Sequence, residues 1–231
     1  MFFELSLFNQ DTKYYPTKSL ITYRIPTIEF VTIIQNLHQK LVMNRRVSIL
    51  VDRLSRLIPE TQPLQGLDVG CGSGEVAYWL TQKRSNLSLQ GVDVLVRSQT
   101  HIPVQQFDGL TLPFADNSVD FIMLVDVLHH TEKPDRLLAE CVRVSRQLIL
   151  IKDHYCNGWW DDLRLRFMDW VGNRSYGVAL PYNYQSTSQW QDLFSREKLV
   201  TEQTLTQLYL YPRPASYIFD SNLHFMTRLQ K

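Results

Sequence analysis

The stretch "GLDVGCGSGEVAYWL", Gly66 to Leu80, decides how the rest of the chain is read. It sets Gly70, Gly72 and Gly74 on alternate positions between an apolar run and a helix-like run. Glycine inside a regular element costs about 0.5–1 kcal/mol relative to alanine. Three of them where a strand should hand over to a helix mark a backbone that must stay bare. Bare backbone lets a ligand approach closely, and a helix N-terminus offers unpaired N–H groups. The loop therefore reads as the floor of a nucleotide or anion site, beyond the carboxyl end of a parallel strand.

The spacing narrows the choice. A dinucleotide loop needs a small residue three positions beyond its second glycine, and Glu75 stands there. A P-loop needs a Gly-Lys-Ser/Thr, which is absent. Outward from the loop, strands and helices alternate. "LQGLDVG", "LSLQGVDV", "IPVQQFDG", "VDFIMLVDV" and "RQLILIKDH" read as strands. "EVAYWLTQ" and "KPDRLLAECVRV" read as helices, the second with Pro134 in its first turn. The nearly continuous apolar runs of the fourth and fifth strands suit a sheet covered on both faces. Such alternation implies a parallel sheet with right-handed crossovers.

The motif "DVGCGSG" resembles the glycine-rich signature of class I S-adenosylmethionine-dependent methyltransferases, and the likeness extends from about Leu64 to Asp153. The resemblance implies an α/β, Rossmann-like fold: a mostly parallel seven-stranded sheet, helices on both faces and an antiparallel last strand. It implies S-adenosylmethionine as cofactor and S-adenosylhomocysteine as product. Asp68, Gly70, Cys71, Gly72 and Gly74 would form the loop site, with Cys71 a packing residue. Asp93, followed by Val94, would bind the ribose hydroxyls. Phe107, Asp108 and Gly109 would lie by the adenine. "LPFADNSVDFIMLVDVLHH" is similar to the strand-four region of small-molecule methyltransferases that include quinone C-methylating enzymes, and would put Asp126 and Val127 at the methionine end. No metal is implied, since Asp126 and Asp153 alone do not reproduce the acidic cluster of metal-dependent O-methylating families.

The catalytic candidates come from residue chemistry. Histidine titrates near neutral pH and can act as a general base. His129 follows the fourth strand, and Asp153 with His154 ends the fifth, all on the ligand side of the sheet. His130, the next residue, is an equal candidate for the base, the alternative for the pair being helix-start packing with a solvated neighbour. Arg45 and Arg46 are candidates for an anionic substrate group or a solvated helix face.

The rest of the chain frames this core. Residues 1–27 are aromatic and irregular, and 28–58 is helical in pattern, with a break anticipated at Asn44–Arg46. Residues 155–184 are aromatic without a clean period and are expected to form a lid. "STSQWQDLFSREKL" is a helix capped at Ser186 or Ser188. "TEQTLTQLYLY" and "YIFDSNLHFMTRLQ" are expected as a closing strand pair. The expected organisation is one domain over 1–231: an N-terminal extension and helices to 58, a cofactor half over 59–153, and a substrate side over 154–231.

Bulk properties bound the partners. Lys+Arg is 24 and Asp+Glu is 23, without the basic surplus of a phosphate-gripping nucleic-acid binder. Three scattered cysteines suggest neither a disulfide framework nor a metal motif and fit a reduced, cytoplasmic setting. Glu4 and the lack of a basic n-region argue against a signal peptide, and no run approaches membrane-spanning length. The expected substrate is a small apolar or aromatic molecule. Two other readings remain open, a cofactor-holding partner module without turnover and a protein methyltransferase. The oligomeric state is not legible.

Overall fold

A computed structural model describes residues 43–60, 62–173, 181–220 and 222–231. The helical pattern expected over 28–41 lies outside the described residues, as does 174–180 of the expected lid. Seven strands form one sheet in the order β3-β2-β1-β4-β5-β7-β6. They are β1 (Leu64–Val69), β2 (Leu87–Asp93), β3 (Val104–Gln106), β4 (Val119–Val125), β5 (Ser145–His154), β6 (Val200–Leu205) and β7 (His224–Gln230). The first five pair in parallel, and β7 runs antiparallel to both β5 and β6. This is the α/β architecture expected from the alternation of strands and helices.

The apolar runs of the central strands feed two cores. Leu67, Val69, Ile122, Leu124, Ile149 and Ile151 face α3 (Pro134–Val144) and α5 (Thr187–Arg196), which contribute Leu138, Cys141, Trp190 and Phe194. Leu89, Phe121, Met123, Leu148 and Leu150 face α1 (Asn44–Leu57) and α2 (Glu75–Lys83), which contribute Leu50, Leu54, Ala77 and Leu80. Alternate residues of β4 thus enter opposite cores, and both must be apolar. Asn44–Arg46 form the first turn of α1 rather than a break. Ser186 caps α5 in a reciprocal box with Gln189, which satisfies two otherwise unpaired backbone donors.

Two expectations change. The residues around 155–184 hold a long helix, α4 (Trp159–Asn173), where no period was legible. Its outward arc carries Trp159, Trp160, Leu163, Phe167 and Trp170, while its buried side carries Leu165 and Asp169. Apolar residues on both the exposed and the buried arcs, with an acid facing inward, erase the usual amphipathic signal. The closing pair is also shorter than its pattern. β6 stops at Leu205, and Ser216–Phe219 form a helical turn, α6, so that β7 starts only at His224.

Gly66 illustrates how tightly the layers meet. A Cβ there would lie 2.3 Å from Phe121 Cζ and 2.7 Å from Leu89 Cδ2. Gly66→Ala should therefore destabilise by about 1–3 kcal/mol through overpacking. Adding Phe121→Leu, which makes room, should give a double variant less destabilised than the sum of the two singles. Thermal unfolding of the three variants checks this, and a melting temperature unchanged by Gly66→Ala contradicts it.

Candidate functional site

The handover from β1 to α2 is a left-handed turn. Gly70, Gly72 and Gly74 have φ of 70°, 58° and 73°, a region that side-chain-bearing residues rarely adopt. Sterics add to this. A Cβ on Gly70 would meet Val127 Cγ2 at 2.7 Å, and one on Gly74 would meet Ile102 Cγ1 at 2.4 Å. Asp93, the last residue of β2, reaches across to the turn. Its Oδ2 accepts from Gly72 N at 2.7 Å and its Oδ1 from Leu95 N at 2.9 Å. Beside it, Val94 and Leu95 are exposed.

Asp68 lies buried behind the turn. Burial, and then the charge of Asp93, push its carboxyl well above the usual range. Cys71 packs its sulfur where a Cβ on Gly91 would sit, 2.4 Å away, and burial pushes its thiol up, so it is no nucleophile. Phe107 packs against the core, and its N donates to Asp93 O at 3.2 Å. Asp108 closes its own turn by accepting from Leu110 N at 2.8 Å and Thr111 N at 2.6 Å. Gly109 (φ 83°) approaches Val94, whose Cγ1 would lie 3.1 Å from an added Cβ. These residues gather at the carboxyl ends of β1, β2 and β3.

A second cluster gathers beyond β4, β5 and the start of β7. Asp126, in a left-handed conformation (φ 57°), turns its carboxylate to Arg46 of α1 and Lys152 of β5. Burial would raise its pKa, but Lys152 and then Arg46 overcome that and hold it well below the usual range. His129, on a short 3₁₀ turn (Leu128–His130), places Nδ1 2.6 Å from Asp153 Oδ1. Its Nε2 lies 3.4 Å from Asp169 Oδ2 of α4, outside hydrogen-bond geometry. Burial works against its charge, yet Asp153, followed by Asp169, raises its pKa and keeps it an imidazolium. Asp153 also accepts from Leu128 N (3.2 Å) and His154 N (2.8 Å).

His154, His224 and His130 are the neutral members. Burial and the charge of Lys152 lower both His154 and His224. Burial and then His129 lower His130 to about 4. His224 Nε2 donates to Phe219 O at 2.8 Å, which leaves Nδ1 to accept from Lys152 Nζ at 3.4 Å. Trp190 Nε1 donates to His154 O at 2.9 Å and fixes the end of β5. The tally is balanced: Arg46, Lys152 and His129 positive, Asp126, Asp153 and Asp169 negative.

The structure thus brings His129, Asp153 and His154 together, and it gives Asp126 two cationic partners. Four members went unnamed in the sequence reading: Lys152, Asp169, Tyr184 and His224. A lysine in "LILIKDH" and a histidine in "NLHFMT" are polar residues in apolar strands, which is a usable signal. Asp169 sits in a helix without a legible period, and Tyr184, whose hydroxyl donates to Asp169, sits in a loop. Neither carried one.

The matched family model is "Methyltransferase domain", over residues 67–148. The chain is 33% identical over 111 residues to the methyltransferase GfsG of Streptomyces halstedii, covering 42% of this chain and 40% of that protein. It is 30% identical over 118 residues to demethylmenaquinone methyltransferase of Thermotoga maritima, covering 46% and 52%. The aligned stretch thus spans about half or less of the length of these curated relatives. Among solved structures, an S-adenosylmethionine-dependent methyltransferase from Mesorhizobium loti superposes with a TM-score of 0.58 at 16% identity, over 78% of this chain and 96% of that one. Residues 67–148 match the model of a methyltransferase domain, and the fold built around them is like that of the class I, Rossmann-like methyltransferases. Among the described residues no helix is long and apolar enough to cross a membrane.

The neutral histidines carry a pH dependence. Their folded values lie below the ordinary value of about 6.5, so the unfolded chain takes up these protons first as pH falls. The raised Asp68 and, near pH 6.5, the raised His129 oppose this, but as pH falls further the three lowered histidines outweigh them. Stability should therefore fall from about pH 6.5 to about pH 5, and His224→Gln should flatten the slope. Melting temperatures across that window check the sign, and a rise on acidification contradicts it.

Proposed function

We propose that the chain transfers a methyl group from S-adenosylmethionine to a small molecule and releases S-adenosylhomocysteine. The observation that carries this reading is the left-handed glycine turn of β1 facing the Asp93 carboxylate at the end of the adjacent strand. The residues fit the cofactor. Asp93 offers a carboxylate to vicinal hydroxyls, a strong charge-assisted contact. Val94, Phe107 and Gly109 form an apolar edge next to it, suited to adenine, with Asp108 alongside. Asp68 lies buried behind the turn, where the cofactor's amino end would reach it. Val127, packed on Gly70, leads to the second cluster and the methionine end. When bound, the cofactor supplies a methyl group already electrophilic on a positively charged sulfur.

The chain must then align an acceptor and exclude water, and alignment alone is worth up to ~7–11 kcal/mol in ideal cases. The second cluster lies where an acceptor would meet that methyl. His154 is neutral, with Nδ1 3.3 Å from Asp153 Oδ1 and Nε2 3.7 Å from Asp126 Oδ1, so its ring, set between two carboxylates, is the group suited to take a proton from the acceptor. His129, charged and held by Asp153, orients rather than abstracts. The even balance of 24 basic and 23 acidic residues favours a small substrate over a nucleic acid. One relative, a demethylmenaquinone methyltransferase, is named for a small-molecule substrate, which supports the same class.

Two experiments test this. Calorimetric titration with S-adenosylhomocysteine should show binding that Asp93→Ala weakens by about 1.5–3 kcal/mol, roughly 10- to 150-fold. Unchanged affinity contradicts the assignment of Asp93. With an acceptor that needs deprotonation, His154→Gln should lower the transfer rate by about 10²- to 10⁴-fold and leave cofactor affinity intact. A normal rate removes His154 from the role of base.

A further inference from the structure

We infer that His129 Nε2, a ring nitrogen of His130 and a carboxylate oxygen of Asp169 form a binding site for one divalent first-row cation of the Zn²⁺ type. The site extends beyond the methyl-transfer reading and does not depend on it. It joins residues from a 3₁₀ turn and from α4, which are distant in sequence, so no ligand motif was visible in the chain.

The geometry is that of a converging donor set. The three candidate ligand atoms all lie within 4.8 Å of one another. His129 Nε2 and Asp169 Oδ2 are 3.4 Å apart, yet Nε2 is buried with no hydrogen-bond partner. Tetrahedral ligands at about 2.0–2.1 Å from a metal lie roughly 3.3–3.4 Å from each other. The separation therefore matches an edge of a coordination polyhedron and fails as a hydrogen bond. His130 Nδ1 is a second buried nitrogen without a partner in this cluster.

The surroundings have the form that supports a metal ligand. Asp153 Oδ1 takes His129 Nδ1 at 2.6 Å, the outer carboxylate that fixes the tautomer and leaves Nε2 facing the site. Tyr184 donates its hydroxyl to Asp169, so the ligating carboxylate is itself oriented. Two imidazoles and one carboxylate suit zinc and its neighbours better than magnesium or calcium. A neighbouring set, Asp126, His129, Asp153 and His154, is equally compact but is a poorer host. Arg46 and Lys152 already neutralise Asp126, and a dication there would face both. The cation would displace the Nε2 proton that His129 otherwise carries between Asp153 and Asp169, so uptake releases a proton, and the rival to a metal is that proton staying in place. That ion pair has no use for His130, which the cation would recruit as a third ligand.

The test uses the full chain, stripped with a chelator and titrated with Co²⁺ and with Zn²⁺. Calorimetry should give one ion per chain, and Co²⁺ should develop visible d–d absorption that Zn²⁺ abolishes. Asp169→Asn and His130→Ala should each weaken binding at least ~100-fold, and Asp153→Asn, which only orients His129, by ~10–100-fold. Asp126→Asn should weaken binding far less than either ligand variant. The wild-type titration stands whatever the variants do to folding. No uptake by the wild-type chain overturns the proposal in favour of the proton. Uptake insensitive to Asp169 and His130, or lost in Asp126→Asn while kept in Asp169→Asn, also overturns it. Titrating S-adenosylhomocysteine into the same samples reads the methyl-transfer proposal separately.

Discussion

The contact between the Asp93 carboxylate and the Gly72 amide, 2.7 Å long, is the constraint on which the rest of the site depends. It ties the end of β2 to the left-handed turn that ends β1. The turn is locked from its other sides by Val127 against Gly70 and Ile102 against Gly74. Three strand ends are thereby fixed relative to one another. A side chain on any of the three turn glycines would need a disfavoured backbone, and on Gly70 or Gly74 it would also strike a neighbour. The glycines are thus determined twice, by conformation and by space, before any ligand is considered.

The polar layer above β4, β5 and β7 is a different kind of construction. Three positive and three negative side chains, most of them buried, lie within one cluster. Burying charges is costly, and paired charges in a protein interior seldom repay their desolvation. Stability is therefore a weak reason for the cluster, and position is a better one. It lies at the carboxyl ends of the strands, where open α/β sheets place their ligands. Because burial and like charges pull His154, His224 and His130 down while carboxylates pull His129 up, neighbouring imidazoles hold different protonation states. Separated proton affinities within one cluster are what acid–base chemistry requires.

The sequence made the cofactor half legible because its signals are local. Glycine spacing, the acid ending β2 and the apolar runs of β4 and β5 each sit within a few residues, and the parallel sheet follows from their order. The two-sided burial of β4 explains why its seven residues lacked alternation. The acceptor half was less legible because its residues meet only through the fold. His129 and Asp153 were named from chemistry, but their 2.6 Å contact needs β4 and β5 side by side. Lys152 and His224 were visible as polar residues in apolar strands and were passed over. Asp169 was hidden, since α4 turns large aromatics outward and an acid inward, the reverse of the usual pattern. The strand expected over Tyr217–Phe219 became helical because four residues of α6 precede the start of β7 and are not paired to β6.

The most direct test of the central claim is a crystal structure of the chain with S-adenosylhomocysteine. The account predicts density along the Gly70–Gly74 turn, with the ribose hydroxyls on Asp93 and the sulfur directed toward His129 and His154. A ligand bound elsewhere, or a turn that excludes it while Asp93 stays on the Gly72 amide alone, would contradict the account.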